Sequence, residues 1–425
     1  MNPIEVILIF DIGKTNKKVL LFNEDLEVIS AKSFELTETK DEDGFPAEDI
    51  DLLTSFILDS FQEVLADKRY SIRGVNFSAY GASLVYLDTH GDVLTPLYNY
   101  LKPYPQQLLD NFYEQYGGQE NFSRSAASPV LGSLNSGMQL YRLKKEQPEK
   151  MESLATVLHL PQYLASLISG QFYSELTSIG CHTNLWDFDK NTYQQWLKDE
   201  ELEQYLPPVT NKMYVSVQIN GDELIVGTGL HDSSAALVPY LLEKKNRFLL
   251  LSTGTWCISL NPFNNLPLSH DELRNDCLCY LQPNGKPIKA ARFFGGQIHQ
   301  ENVVKIAAQF NITVDQILQI NYSDEDVSLL LNQPVKQKYL DCSDARTSYF
   351  VMMEQLIARQ KLSTDWVLQT ADIDEIVVDG GFAKNKLFMK LLERVYPNKL
   401  ITASEFSQGS SLGAAIVLKD AIWRD

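Results

Sequence analysis

One aspartate has the surroundings of a catalytic base. Asp232 follows His231 and precedes Ser233–Leu237, a run of small and apolar residues with helical character. An aspartate just before such a run is a favoured helix N-cap, and the local sequence supports that structural role equally well. Both roles can be filled at once, because a carboxylate held at a helix start can accept a proton from a substrate hydroxyl. We therefore predict Asp232 as a general base, with His231 either hydrogen-bonded to an acceptor hydroxyl or filling polar space.

A glycine turn near the first residues has the composition of a phosphate-binding loop. Gly13 follows the predicted strand Val6–Asp11. The turn continues with cationic and polar residues, Lys14, Thr15 and Asn16. Glycine lets backbone amides approach phosphate oxygens, and Asp11 offers the hard oxygen ligand that Mg²⁺ prefers. An ordinary hairpin turn with solvated lysines explains the same residues equally well.

A second turn in the other half of the chain has a similar construction. It lies between the predicted strands Arg247–Leu251 and Trp256–Leu260. Its residues combine hydroxyls with a glycine: Ser252, Thr253, Gly254 and Thr255. Two such hairpins facing each other would bind a triphosphate from both sides. Taken alone, the second turn is more typical of an ordinary hairpin.

A third turn places two adjacent glycines between a strand and a helix. Gly380 and Gly381 follow the predicted strand Glu375–Val378, and Asn385 precedes the predicted helix Lys386–Val395. Bare backbone at such a turn can accommodate an adenine or a ribose, but the strand-to-helix geometry alone also requires glycine. The spacing is not the G-x-G-x-x-G of nicotinamide-binding folds, and the Walker lysine pattern is missing.

The elements around these turns alternate between strand and helix in both halves of the chain. Further elements predicted in the first half are the strands Lys18–Asn23, Val28–Leu36, Arg73–Ser78 and Val85–Leu87 and the helices Asp49–Ala66 and Met151–Ile168. The second half adds the helices Tyr349–Leu368 and Gly413–Lys419 and a long excursion over residues 261–289. The repeated order predicts a structural duplication joined near Ile219–Val226, with domains at 1–222 and 223–425.

Length and composition narrow the class of protein. A chain of 425 residues exceeds what one hydrophobic core usually organises, so two domains with a cleft between them are expected. The net charge of −18 argues against nucleic acid and anionic membranes as partners. The first residues lack a basic leader, and no apolar run reaches the length of a membrane span, so a cytoplasmic location is expected.

Together, the four segments resemble the FGGY carbohydrate kinase family, and the similarity runs from Ile4 almost to the last residue. The resemblance implies an α/β protein with a duplicated RNase H-like fold, the actin and hexokinase type, whose two domains flank a central cleft. It implies a kinase that uses ATP and Mg²⁺, with Asp232 as proton acceptor and Asp11 at the metal. Contacts to ATP are assigned to Gly13, Lys14, Thr15, Asn16, Thr253, Gly254, Thr255, Gly380, Gly381 and Asn385. Contacts to the sugar are assigned to Gly81, Tyr80, Tyr98, His231 and Asp232.

Similarity to rhamnulokinases, with fuculokinases and xylulokinases next, suggests a ketose acceptor. The sugar side nevertheless departs from the family pattern, because Tyr98–Lys102 stands where many members carry tryptophan, aspartate and arginine. The sequence therefore leaves open which sugar is the acceptor. It also leaves open whether the protein forms a homodimer. An ATP-binding switch of the actin or chaperone type would share the glycine turns but would not explain a carboxylate beside His231. An inactive ligand sensor is disfavoured because no phosphate motif in the sequence is visibly broken.

Overall fold

The computed structural model describes residues 3–244, 246–331, 338–368, 372–406 and 408–423. The strands, in chain order, are β1 (Ile4–Ile12), β2 (Lys17–Phe22), β3 (Val28–Phe34), β4 (Glu38–Lys40), β5 (Pro46–Glu48), β6 (Tyr70–Ala79), β7 (Leu84–Leu87), β8 (Thr156–His159), β9 (Ser174–Glu175), β10 (Trp186–Asp187), β11 (Thr192–Tyr193), β12 (Val209–Thr210), β13 (Tyr214–Ile219), β14 (Asp222–Gly227), β15 (Leu230–His231), β16 (Phe248–Thr253), β17 (Cys257–Asn261), β18 (Cys277–Leu281), β19 (Pro287–Phe293), β20 (Glu375–Gly380) and β21 (Leu400–Ala403).

The helices are numbered separately, also in chain order. They are α1 (Ile50–Ala66), α2 (Gln106–Gln115), α3 (Gln119–Ser125), α4 (Ser136–Glu146), α5 (Pro148–Met151), α6 (Leu160–Ser169), α7 (Leu176–Ile179), α8 (Gln195–Asp199), α9 (Asp232–Glu243), α10 (His270–Arg274), α11 (Gly295–Phe310), α12 (Val314–Leu318), α13 (Asp324–Leu331), α14 (Ala345–Leu368), α15 (Lys386–Val395) and α16 (Gly409–Ile422).

The first sheet is built around β1 and β6, which run parallel. Its order is β13–β14–β6–β1–β2–β3, and the short β15 pairs with the end of β6. Residues Val6–Ile12 of β1 are all buried, because helices cover both faces of the sheet. Core residues of α1 and α6 pack on one face, and those of α16 and the start of α9 pack on the other.

The second sheet repeats the arrangement of the first. Its order is β18–β19–β17–β16–β20–β21. The hairpin β16–β17 corresponds to β1–β2, and β20 runs parallel to β16 as β6 runs parallel to β1. Core residues of α11, α14 and α15 pack on one side of this sheet, as expected for a layered α/β domain. The repeated strand order agrees with the predicted duplication.

Helices α9 and α16 cross at very close range. A Cβ atom added to Gly413 of α16 would lie 1.9 Å from the carbonyl oxygen of Ala235 in α9. Only glycine allows two backbones to approach this closely. Since α9 begins at Asp232, this crossing helps to determine where that carboxylate lies.

Three sequence predictions need correction. The boundary between residues 222 and 223 is too early, because β14 and β15 both pair with β6 in the first sheet. The single helix predicted over Met151–Ile168 is instead the last residue of α5, then strand β8, then α6. Residues 261–289 are not an excursion, since β18 and the start of β19 extend the second sheet there.

Candidate active site

Three parallel strand ends bring the predicted acceptor and phosphate residues to one edge of the first sheet. Asp11 of β1 lies opposite Ser78 of β6, and His231 of β15 lies opposite Ala79 of β6. The turns that follow these strands therefore start side by side, because parallel strands end at the same edge. Gly13, Tyr80–Gly81 and Asp232 all belong to this edge.

The short strand β15 owes its place to a buried asparagine. The Oδ1 atom of Asn76 accepts the backbone N–H of Gly229 at 3.3 Å, and its Nδ2 atom donates to the carbonyl oxygen of Ala414 at 2.8 Å. A Cβ atom on Gly227 would lie 2.0 Å from the same Oδ1, so only glycine fits beside this amide. Asn76 thereby ties β6, α16 and the segment before His231 together.

Asp232 is the first residue of α9, and the N-cap position belongs to His231. The predicted capping role of Asp232 is therefore wrong. Its Oδ1 atom instead accepts the backbone N–H of Ser233 at 2.6 Å and the Ser233 hydroxyl at 3.2 Å. The side chain keeps 34% of its surface exposed. Burial raises the pKa of Asp232 to about 6, and the two Ser233 hydrogen bonds oppose that rise.

His231 lies directly behind Asp232 and is almost fully enclosed. Its Nε2 atom is 3.2 Å from Oδ1 of Asp232 and 3.0 Å from Sγ of Cys181. Burial lowers the pKa of His231 to about 3, so the imidazole is neutral at physiological pH. Gly81 covers the ring, since a Cβ atom there would lie 3.1 Å from its Cδ2 atom.

Asp11 is held at the same edge by two serines from the start of α16. Its Oδ2 atom accepts the Ser411 hydroxyl at 2.8 Å and the Ser410 hydroxyl at 3.1 Å. Burial raises the pKa of Asp11, a rise that the Ser411 hydrogen bond and the charge of Lys18 counteract. The charge of Asp232 raises the Asp11 pKa further, so the two carboxylates are close enough to interact electrostatically.

A buried carboxylate that no sequence motif indicated lies beside this edge. Glu48 of β5 accepts the hydroxyl of Tyr80 at 2.5 Å and forms an ion pair with the buried ammonium group of Lys17. Lys14 lies 3.9 Å from Glu48 and 2.6 Å from the exposed Glu38. No local motif marks Glu48, because its role depends on partners far away in sequence.

Two tyrosines separated by one residue have different surroundings. The hydroxyl of Tyr98, a predicted sugar contact, donates to Oε1 of Glu42 at 3.1 Å, and its ring packs against Tyr86. Tyr100, which the sequence analysis did not select, has its ring 6.0 Å from that of Tyr80. Burial raises the pKa of Tyr100, and the nearby charges of Asp232 and Glu48 raise it further. The charge of Asp232 therefore reaches Tyr100.

The second and third glycine turns lie next to each other because β16 and β20 are parallel neighbours. The hydroxyl of Thr253 donates to the carbonyl oxygen of Asp379 and accepts the backbone N–H of Phe382. Gly380 has φ of +84°, and a Cβ atom there would lie 1.9 Å from the Thr253 carbonyl oxygen. Thr253 and Gly380 therefore join the two turns, whereas Gly254 and Thr255 lie exposed at the hairpin tip.

The predicted adenosine segment combines an open glycine with an anchored asparagine. A Cβ atom on Gly381 would meet no other atom within 4 Å, so the backbone there is accessible. Asn385 caps α15 by accepting the backbone N–H of Phe388, and its amide donates to the Tyr349 hydroxyl at 2.9 Å. The sequence analysis also missed Gly296 in the first turn of α11, where a Cβ atom would lie 1.8 Å from the Gly254 carbonyl oxygen.

Two family models match the chain and establish its family. Residues 6–238 match the family model for the N-terminal domain of the FGGY family of carbohydrate kinases, and residues 245–323 match the model for a C-terminal domain of that family. The chain belongs to the FGGY family of carbohydrate kinases. The predicted family is thereby confirmed.

Curated relatives of this FGGY protein carry two different names. A rhamnulokinase from Oceanobacillus iheyensis is 21% identical over 278 residues, which cover 61% of this chain and 57% of that enzyme. A xylulose kinase from Staphylococcus xylosus is 20% identical over 439 residues, covering 96% of this chain and 89% of that enzyme. The chain thus spans little more than half the length of the rhamnulokinase it matches.

Solved structures of kinases share the fold over nearly the whole chain. A carbohydrate kinase from Novosphingobium aromaticivorans superposes with a TM-score of 0.80 at 22% identity, covering 98% of this chain and 94% of that one. Glycerol kinase from Plasmodium falciparum with ADP superposes with a TM-score of 0.78 at 15% identity, covering 100% and 91%. The predicted fold class, the duplicated actin and hexokinase type, is thereby confirmed.

The described ranges contain neither a cluster of metal-ligating side chains nor a helix that could span a membrane. Among those residues, no group of three or more His, Cys, Asp or Glu side chains could hold a metal ion. Across the same ranges, no helix combines the length and apolar character needed to cross a membrane.

Proposed function

We propose that this FGGY protein transfers the γ-phosphoryl group of ATP to a hydroxyl of a sugar, with Asp232 as the general base. The placement of Asp232 carries this proposal. It is a partly exposed carboxylate at the common edge of β1, β6 and β15, and burial raises its pKa to about 6. A base whose pKa lies near the operating pH is ionised and yet accepts a proton readily.

In this proposal the glycine turns hold the nucleotide. Gly13 and Gly254 would let the two hairpins come close to the phosphates, while their own amides close the turns by donating to the carbonyl oxygens of Asn16 and Trp256 at 2.9 and 2.8 Å. The side chains of Lys14 and Thr255 would add charge and a hydroxyl. The open backbone of Gly381 would border the adenosine, beside Gly380 and Asn385. Closure of the two domains would then exclude water, so that the sugar hydroxyl is preferred as acceptor.

The surroundings of Asp11 fit a magnesium ion that arrives with ATP. Both serine hydroxyls donate to one carboxylate oxygen, Oδ2. Mg²⁺ usually keeps several waters and takes one or two protein carboxylates plus substrate phosphates, so a single aspartate suffices. Asp11 would hold the ion directly or through water, and the bound ion would neutralise charge on the phosphate oxygens.

For the acceptor we propose a ketose such as L-rhamnulose, L-fuculose or xylulose. The names of the curated relatives and the order of the motifs support this class. The sugar would lie between Gly81, Tyr80 and Asp232, where Tyr100 would also contribute a hydroxyl. Because Glu48 is already paired with Lys17 and Tyr80, fewer free carboxylates remain to recognise sugar hydroxyls on this side.

The proposal is tested by measuring ADP release with a panel of ketoses, aldoses and polyols at saturating Mg-ATP. At least one sugar should stimulate ADP release strongly, and Asp232→Asn should abolish that stimulation while ATP binding persists. Asp222→Asn is the matched control, because Asp222 is exposed on the β13–β14 hairpin. Retained turnover in pure Asp232→Asn protein would disprove the base assignment. Stimulation by none of the compounds would favour an ATP-binding switch.

A further inference from the structure

A buried carboxylate lies between the first glycine turn and the predicted sugar contact Tyr80. Glu48 is the last residue of β5, and only 4% of its side chain is exposed. The next residue, Asp49, caps α1 by accepting the backbone N–H of Leu52 at 2.9 Å. A strand and a helix therefore hold the backbone of Glu48 from both sides, and its carboxylate has a fixed position.

One oxygen of this carboxylate holds the side chain of Tyr80. The Tyr80 hydroxyl donates to Oε2 of Glu48 at 2.5 Å, and the Tyr80 backbone N–H donates to the carbonyl oxygen of Ile12 at 3.1 Å. The Tyr80 ring also lies against the half-buried Tyr100, with the ring centroids 6.0 Å apart. A hydrogen bond to a charged acceptor is short and directional, so it fixes the direction of the ring as well as its place.

The other oxygen is paired with Lys17, the first residue of β2. The Lys17 ammonium group forms an ion pair with Oε1 of Glu48, and only 2% of the Lys17 side chain is exposed. The same ammonium group donates to the carbonyl oxygen of Lys14 at 3.0 Å. Lys14 belongs to the turn that Gly13 closes by donating to Asn16. Because Lys17 is too enclosed to contact a phosphate itself, it can act on ATP only through this turn.

Stability alone does not explain a buried ion pair at this place. Removing two charges from water is costly, and apolar residues of similar volume often give equal or greater stability. Apolar side chains at positions 17 and 48 would fill the same space. They would give the Tyr80 hydroxyl no acceptor and the Lys14 carbonyl no donor. The pair therefore supplies two directed contacts that apolar packing cannot supply.

We propose that Glu48 is a positioning residue for both halves of the site, because it holds Tyr80 on the acceptor side and, through Lys17, the first glycine turn on the phosphate side. This inference rests on the proposed function, since it requires ATP at that turn and a sugar beside Tyr80. No group is transferred to or from Glu48. Its carboxylate accepts one hydrogen bond and offsets one buried charge, and the sites for the two substrates share it.

The acceptor half is tested with Tyr80→Phe in the full chain, using the sugar that the ADP-release screen identifies. This variant removes only the hydroxyl that donates to Glu48. The sugar KM should rise roughly three- to tenfold, because the ring loses the bond that fixes its direction. The Kd of Mg-ATP, measured by calorimetry without sugar, should stay within about twofold of wild type, because Lys17 keeps its partner.

The phosphate half is tested with the double variant Lys17→Met and Glu48→Gln. It removes both charges together, so the free energy of unfolding in urea should stay close to that of wild type. The Kd of Mg-ATP should nevertheless rise roughly three- to tenfold, because the Lys14 carbonyl has lost its donor. Glutamine still offers Tyr80 an acceptor oxygen, so the sugar KM should change less than in Tyr80→Phe.

The matched control is the double variant Lys32→Met and Glu63→Gln, which removes an exposed ion pair of the same domain and should bind both substrates like wild type. A Lys17 and Glu48 double variant that folds and binds Mg-ATP like wild type would overturn the inference. An unchanged sugar KM in Tyr80→Phe would also overturn it, and this variant decides the outcome if the double variant does not fold.

Failure of the proposed function gives a different result. A wild-type protein that binds Mg-ATP but releases no ADP with any acceptor would refute the proposed function, and with it the acceptor half of the inference. The comparison of Kd values needs no acceptor, so it would still decide the phosphate half.

Discussion

Removing the Ser233 hydroxyl should shift the pH dependence of turnover in a direction that follows from the structure. Asp232 must be ionised to accept a proton, so kcat should fall as pH drops through its pKa of about 6, to about a tenth of its plateau one pH unit below. The Ser233 hydroxyl donates to Oδ1 at 3.2 Å and stabilises the ionised form. Ser233→Ala should therefore raise the pKa and move the acid limb to higher pH.

The size of that shift is modest. The backbone N–H of Ser233 stays in place at 2.6 Å, and 34% of the Asp232 side chain is exposed, so solvent weakens the lost bond. A contribution of about 0.7 kcal/mol corresponds to roughly half a pH unit.

The assay measures kcat against pH from about 4.5 to about 8 at saturating sugar and Mg-ATP for wild type, Ser233→Ala and Ser55→Ala. Phosphate groups also titrate near pH 6, so only the difference between proteins is informative. Ser55 is an exposed residue of α1 and serves as the matched control. An acid limb that coincides with wild type, or one that moves to lower pH, would refute the assignment of this limb to Asp232.

Two further predictions concern the scaffold that places the site. Thr253→Val should lower the free energy of unfolding of the second domain by about 1–3 kcal/mol in urea, because it leaves the Phe382 N–H and the Asp379 carbonyl without the hydroxyl between them. Thr253→Ser keeps that hydroxyl and should be close to wild type; equal loss in both variants would contradict this explanation. Gly413→Ala should destabilise the first domain by more than about 2 kcal/mol, since its Cβ atom would lie 1.9 Å from a backbone oxygen of α9. Gly409→Ala in the same helix, where the nearest atom is 3.5 Å away, should differ little from wild type in the same urea titration.

Much of the fold could be predicted from local sequence patterns. The apolar runs beside Gly13 and Gly254 are strands β1, β2, β16 and β17, and the predicted helix Lys386–Val395 has those bounds in the structure. The prolines and asparagines of residues 261–289 predicted irregular structure, whereas the buried apolar run Cys277–Leu281 within them forms a strand.

The candidate site was harder to predict than the fold, for physical reasons. β15 has only the two residues Leu230–His231, and it lies beside β6 through pairing and through Asn76, not through a pattern of its own. Tyr98 and Tyr100 are separated by one residue, and their sequence does not reveal which one approaches Asp232. Glu48 joins the site through Lys17 and Tyr80, partners that only the folded chain brings together.

At Asp232 the helix dipole and burial act on the pKa of the carboxylate in opposite directions. As the first residue of α9, its carboxylate gains from the helix dipole, which favours the ionised form and a low pKa. Burial acts in the opposite direction and prevails, because the pKa rises to about 6 despite two hydrogen bonds from Ser233. A carboxylate selected for helix stability would sit at the N-cap with a low pKa. The combination of an N1 position with a pKa that burial raises favours a chemical role.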